Sequence, residues 1–160
     1  MRRLRSAGFT LIELLIVVAI IGIIAAIAAV AFMTAMDRAR QKRTMADMRL
    51  IATAWESRAA DTQSYLISGF TFPAAPVTFV DLKAALSPTY VRQLPRYDGW
   101  NQPFEFGAGP DIKHYGIRSP GRDGVYEGDD YALIETPNPD CDIVFGGGNF
   151  VQYPQVAQGK

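Results

Sequence analysis

Gly8-Phe9-Thr10-Leu11-Ile12-Glu13, followed by the apolar run Leu14 to Met36, decides how the chain is read. That run is 23 residues long and carries no charged side chain. A helix rising ~1.5 Å per residue needs about 20 residues to cross a ~30 Å hydrocarbon core, so the run is long enough to span a bilayer. Glu13, just ahead of it, is the exception. A lone carboxylate at bilayer depth costs roughly 2.5–3.5 kcal/mol, so it calls for a partner. A secretory signal is cut after its apolar region, whereas the small residue at a plausible cut point, Gly8, precedes this one. A cut between Gly8 and Phe9 removes the basic leader and leaves the helix on the mature chain. The new amino group at Phe9 then lies near a carboxylate of its own or a neighbouring chain.

Past Met36 the apolar pattern narrows without a Pro or Gly break. Met45, Met48, Ile51, Ala52, Trp55 and Ala59 recur at offsets of three and four, with Lys42, Arg49, Glu56 and Arg58 between them. This predicts one stripe on a continuing amphipathic helix that ends near Ala60. Gly69, Pro73 and Pro76 then punctuate a loop, and Gly107-Ala-Gly109-Pro110 a turn. Thr78 followed by Asp81, with Val80, Leu82 and Leu86 behind, predicts a short capped helix stopped by Pro88. Strands are predicted at Phe104–Phe106, Lys113–Arg118, Tyr131–Glu135, Ile143–Phe145 and Phe150–Tyr153, the last two joined as a hairpin through Gly146–Asn149. The expected class is α+β: a long N-terminal helix, half transmembrane and half amphipathic, packed on a small antiparallel sheet of three to four strands. The chain divides accordingly into a leader (1–8), a membrane helix (9–36), its amphipathic continuation (37–60) and a globular domain (61–160).

Composition excludes several classes. Formal net charge is zero, and without Arg2, Arg3 and Arg5 the chain carries 13 basic against 16 acidic residues, about −3. Bulk charge therefore offers no footprint for nucleic acid. Cys141 is the single cysteine, so no intrachain disulfide is available, and a buried, inert thiol is the expected reading. His114, the only histidine, sits in a strand-like run and reads as structural. No nucleophile motif or phosphate loop is present, so an enzyme is not expected. The basic residues on both flanks of the apolar run leave its orientation open.

The leader, Gly8, Phe9, Thr10, Leu11, Ile12, Glu13 and the apolar helix together resemble the class III signal of type IV pilins and type II secretion pseudopilins. The resemblance implies cleavage after Gly8 by a prepilin peptidase, N-methylation of Phe9, and a filament in which Glu13 neutralises the Phe9 amine of an adjacent subunit. It places the leader in the cytoplasm and the globular domain in the periplasm. Gly22 fits the pattern, while Val30 stands where many members have proline. A second stretch, Tyr90 to Phe106, is similar to the Leu-Pro, Asp-x-Trp-Gly-x-Pro-aromatic pattern of major pseudopilins. Leu94, Pro95, Asp98, Trp100, Pro103 and Phe104 match, and Asn101 replaces the usual glycine. Read physically, Asp98-Gly99 is a turn and Trp100 a core residue.

Three acidic loops lie between the strands: Ser119–Gly124, Glu127–Asp130 and Asp140–Ile143. Carboxylates on Gly-rich loops are a shell calcium accepts, although acidic loop residues are more often turn formers. The resemblance maps one calcium ion onto Asp123, Asp140 and Asp142 with the carbonyl of Pro120, and leaves Asp129 and Asp130 as further candidates. The implied partners are copies of this chain, minor pseudopilins, the prepilin peptidase, an inner-membrane assembly platform, and lipid before assembly. The leading expectation is a type II secretion pseudopilus subunit. The alternatives are a type IV pilus subunit and a membrane-tethered module that never polymerises.

Overall fold

Thr10 opens α1, which runs without a break from Leu11 to Thr62 in a computed structural model that describes residues 8–65, 77–108, 114–129, 131 and 133–155. The leader's first seven residues, Gly69, Pro73, Pro76, Gly109, Pro110, Lys113 and Asp130 lie outside the described residues. The chain forms two compact units, Met1–Asp37 and Arg38–Lys160.

In the first unit every described residue up to Met36 is exposed. Among the described residues α1 is the one helix long and apolar enough to cross a membrane. An apolar surface of that extent is not left to water, because each buried CH₂ is worth about 0.8 kcal/mol.

In the second unit the predicted stripe turns inward. Met48, Ile51 and Trp55 are fully buried, Ala52 and Ala59 nearly so, and Met45 packs against them from the margin. Gln41, Thr44 and Ala54 join the buried face. Thr44 is inside because its hydroxyl accepts the Gly99 N–H at 2.9 Å and donates to Arg40 O at 3.0 Å. Gly99 lies so close to the Arg40 backbone that a β-carbon there would collide with it.

The short helix α2, Phe79–Leu86, starts as the sequence predicts: Thr78 Oγ1 accepts the Asp81 N–H at 3.2 Å and donates to Asp81 Oδ2 at 2.7 Å. The sheet has five strands: β1 Glu105–Ala108, β2 Tyr115–Ser119, β3 Ile134–Thr136, β4 Ile143–Gly146 and β5 Asn149–Pro154. Their spatial order is β1-β2-β4-β5-β3. Four strands pair antiparallel, as expected, and the fifth, β3, is added in parallel to β5 with Ile134 opposite Gln152. Parallel pairing needs a long crossover, and the 12-residue interval from Thr136 to Asn149, which contains β4, supplies it. Gly147 and Gly148, at φ of 58° and 88°, make the tight turn of the β4–β5 hairpin.

The core lies between the α1 stripe and the sheet. Trp55 and Tyr115 rings are 5.1 Å apart, and Phe106, Ile117, Ile143 and Phe145 complete the sheet side. Tyr115 donates its hydroxyl proton to Glu56 Oε1 at 2.5 Å; burial and this bond push its pKa above the ordinary phenol value.

Candidate functional site

The processing and assembly residues stand at the start of α1. Gly8 and Phe9 are exposed. Thr10 and Glu13 form a reciprocal capping box. The Thr10 N–H and hydroxyl donate to Glu13 Oε2 at 2.9 and 2.7 Å, and the Glu13 N–H donates to Thr10 Oγ1 at 3.3 Å. Glu13 therefore has a partner within its own chain, two orphan N–H groups of the helix start are satisfied, and both belong to one turn. The bond expected from the Phe9 amine of an adjacent subunit lies between chains, whereas Thr10 is the partner of Glu13 within one chain. The signal is in the sequence, since Thr-x-x-Glu before an apolar run is the capping-box pattern.

The second matching stretch folds around Asp98, which is almost fully buried. Its Oδ1 accepts the N–H groups of Trp100 and Gln102, both at 2.8 Å, and its Oδ2 accepts the Ser119 hydroxyl at 2.6 Å. What reads as a turn residue is thus the peg that fastens the 98–102 loop to the end of β2. Asn101 takes φ of 66°, which explains why glycine is the usual residue at that place in the resemblance and why asparagine substitutes there. Leu94 and Phe104 are buried, Trp100 packs against the core from its margin, and Pro103 bridges Tyr97. Pro95 is half-buried.

The acidic loops hold the predicted metal ligands, and the structure places them in separate pairings. Both oxygens of Asp140 accept from Arg122, Nε at 2.7 Å and Nη2 at 2.8 Å, and this fork holds the Asp140 pKa below its usual value. Asp123 is exposed, and its Oδ1 accepts the Val125 N–H at 3.0 Å. Asp129 Oδ1 accepts from Arg118 at 2.8 Å. Asp142 is fully buried, and its Oδ2 accepts the Tyr131 hydroxyl at 2.6 Å and the Glu127 N–H at 3.0 Å. Its Oδ1 has no hydrogen-bond partner among the described residues, and burial above all pushes its pKa up. Pro120 is buried at the end of β2.

Among the described residues no group of three or more His, Cys, Asp or Glu side chains is placed to hold a metal ion. Asp123, Asp140 and Asp142 are thus not brought together as a shell, and both oxygens of Asp140 are engaged by Arg122. Among the described residues the carboxylates as placed do not form the calcium shell that the resemblance implies, and the unpartnered Asp142 Oδ1 is the buried side-chain atom that asks for a further donor or cation.

Arg118, on which no sequence motif falls, organises these loops instead. It is buried in β2, with Nε on Glu105 Oε2 at 2.6 Å and Nη1 on Asp129, on Gly128 O at 2.8 Å and on the Tyr131 hydroxyl at 3.2 Å. Its guanidinium also lies 4.5 Å from the centre of the Tyr126 ring. Burial opposes the charge, but the bonds to Glu105, Asp129 and Tyr131 hold the pKa above its ordinary value. Through Tyr131 the chain of bonds reaches Asp142. Cys141 is half-buried, its thiol pushed up by burial and by Glu127, and His114 is exposed just ahead of β2.

Residues 3–29 match the prokaryotic N-terminal methylation motif. The match covers most of the leader, the Gly8-Phe9 junction, the Thr10–Glu13 box and much of the exposed apolar run. It supports a type IV pilin-like protein, and the long helix on a mostly antiparallel sheet is consistent with the pilin fold. No curated protein and no solved structure matches the chain. The motif and the apolar helix fit a single-pass protein anchored in the inner membrane, with a structural rather than an enzymatic task.

Proposed function

We propose that this chain is the major subunit of a type II secretion pseudopilus, cut between Gly8 and Phe9, methylated on Phe9 and polymerised in the periplasm to drive folded proteins through the outer membrane. The observation that carries the filament part is the coincidence of the methylation motif with an α1 surface left wholly exposed from Leu11 to Met36. Such a surface is at home in lipid before assembly and among copies of itself afterwards. A heterologous contact that repeats without closing then gives a filament. The pseudopilus part rests on the match at Leu94, Pro95, Asp98, Trp100, Pro103 and Phe104, together with the buried role of Asp98 in that stretch.

The test begins with Glu13→Ala in the full chain. Polymerisation is expected to stop while the protein accumulates in the inner membrane, and a variant that assembles as well as the parent would sink the filament reading. A strain lacking the gene then separates the two kinds of filament. Loss of particular exoproteins with surface filaments intact supports the pseudopilus. Loss of surface filaments with secretion intact makes the chain a type IV pilus subunit.

A further inference from the structure

The two ends of the sheet in the second unit carry complementary surfaces. At the β3 end the outer edge of the strand has no neighbouring strand among the described residues, and Leu133 and Ile134 are 78% and 51% exposed beside an exposed Glu135. An edge strand that carries one exposed aliphatic side chain and is entered from another is a surface that soluble proteins normally blunt. At the other end, Val77 pairs with Phe106 of β1 and leads directly into α2. There an open groove of about 500 Å³ is lined by Phe79, Val80 and Ala84, with Lys83 and Arg96 among its other walls. Val80 is 73% exposed, and the Arg96 guanidinium is held 5.5 Å from the Phe79 ring and 5.3 Å from the Tyr97 ring.

The two surfaces also differ in charge: Lys83 and Arg96 line the groove, and the exposed Glu135 stands on the β3 edge. Four strand spacings of about 4.8 Å, roughly 19 Å, separate β1 from β3, so the β3 edge and the edge that leads through Val77 into α2 are opposite edges of the sheet. One copy cannot satisfy both itself.

We infer that the β3 edge of one copy, Leu133 to Glu135, docks into the α2 groove of a second copy, with Leu133 and Ile134 against Phe79 and Val80 and Glu135 beside Lys83 and Arg96. The occupant is a second copy because one chain supplies both halves, matched in polarity and opposite in charge. The contact is heterologous and leaves a free edge and a free groove at its ends, so it propagates. It rests on the filament reading and names the globular surface through which that filament is held in register.

The test uses the full chain in a host that assembles its filaments. Lys83→Glu and Glu135→Lys each lower filament yield about tenfold through like-charge juxtaposition, and the two together restore it. Glu135 accepts one bond, from the Tyr153 hydroxyl at 3.2 Å, so neither reversal touches the core, and an unchanged thermal melt checks this. In parallel, a chain carrying Cys141→Ser, Val80→Cys and Leu133→Cys is treated with a short bis-maleimide. A ladder of cross-linked copies is expected, absent when either new cysteine is omitted. Filaments that tolerate both reversals, with no ladder, overturn the contact and leave the filament reading standing. A ladder without filaments supports the contact and removes that reading, and the absence of both removes the two together.

Discussion

Replacing Asp98 by alanine should cost the domain a large part of its stability, and the structure says how much. The change leaves three donors without their acceptor: the N–H groups of Trp100 and Gln102 at 2.8 Å and the Ser119 hydroxyl at 2.6 Å. A hydrogen bond to a charged group is worth about 1.5–3 kcal/mol, and a buried donor left unsatisfied costs about 1–3 kcal/mol. Trp100 and Gln102 are half-buried, so water can reach part of what is lost, whereas Ser119 is fully buried. Taking the low end for the first two and the middle for the third gives about 3–5 kcal/mol. That is a substantial share of the roughly 5–15 kcal/mol by which a domain is stable.

Asp98→Asn gives the control. Its remaining carbonyl oxygen still accepts the two N–H groups that converge on Oδ1, and its NH₂ can donate to Ser119 Oγ. The charge assistance is lost and the buried Ser119 hydroxyl proton gives up its acceptor, together about 1.5–3 kcal/mol. Thermal unfolding of the purified full chain in mild detergent, followed by tryptophan fluorescence, should show the alanine variant down by roughly 10–20 °C and the asparagine variant by about half of that. Equal losses in the two variants, or a loss under about 1 kcal/mol for alanine, would refute the assignment of Asp98 as the peg between the loop and β2.

Asp142 and Asp140 should answer to pH in opposite senses. The Asp142 pKa is raised above 3.8, so the folded chain binds its proton more tightly than the unfolded one; its favourable contribution is complete below pH 3.8 and is lost as pH rises through the raised value. Asp142→Asn, which keeps an oxygen for Tyr131 and Glu127, should therefore match or exceed the parent in stability at pH 7 and lose that advantage in acid. A clear loss of stability at pH 7 would show that the carboxylate is held by a cation. Asp140 is lowered below 3.8 by Arg122, so its contribution is present above pH 3.8 and is lost as pH falls through the lowered value; Asp140→Asn should flatten that acid limb, and an unchanged limb would sink the pairing. With Asp140 taken by Arg122, the melting temperature should be the same in millimolar calcium and in chelator. A ligand at a hundredfold its Kd adds about 2.7 kcal/mol, so a rise of about 5 °C or more with calcium would mean that the carboxylates do assemble into a shell.

Which of these features the sequence discloses follows from the range over which each is encoded. The Gly8 to Glu13 signal is contiguous, and the α1 stripe repeats at helical spacing, so both are legible in the order of residues alone. So are the α2 cap at Thr78 and the hairpin around Gly147-Gly148, each closed within a few residues. Thr10 is equally local, and it is overlooked when Glu13 is taken as a charge in search of an outside partner rather than as half of a capping box. The parallel placement of β3 is not legible: three residues are too few for a period, and the pairing depends on β4 and β5 forming between them.

The polar hubs are hidden for a related reason. Asp98 meets Ser119 across 21 positions, and Arg118 meets Glu105 across 13, so composition announces the charges without announcing the pairs. A run of Asp on Gly-rich loops states only how much negative charge must be answered. Calcium would answer it with one centre shared by several loops, which requires the carboxylates to converge. The chain's own cations answer it differently, because each guanidinium presents a rigid planar fork and takes its carboxylates pairwise. Arg122 ties the end of β2 to the 138–142 loop through Asp140 and, by its backbone N–H, through Pro139 O at 2.9 Å. Arg118 ties β1 to the 128–131 loop, from which Tyr131 reaches Asp142. A domain with a single cysteine thereby gains two cross-loop fasteners, and Asp142 Oδ1, which neither arginine reaches, is the buried side-chain oxygen left unpaired among the described residues.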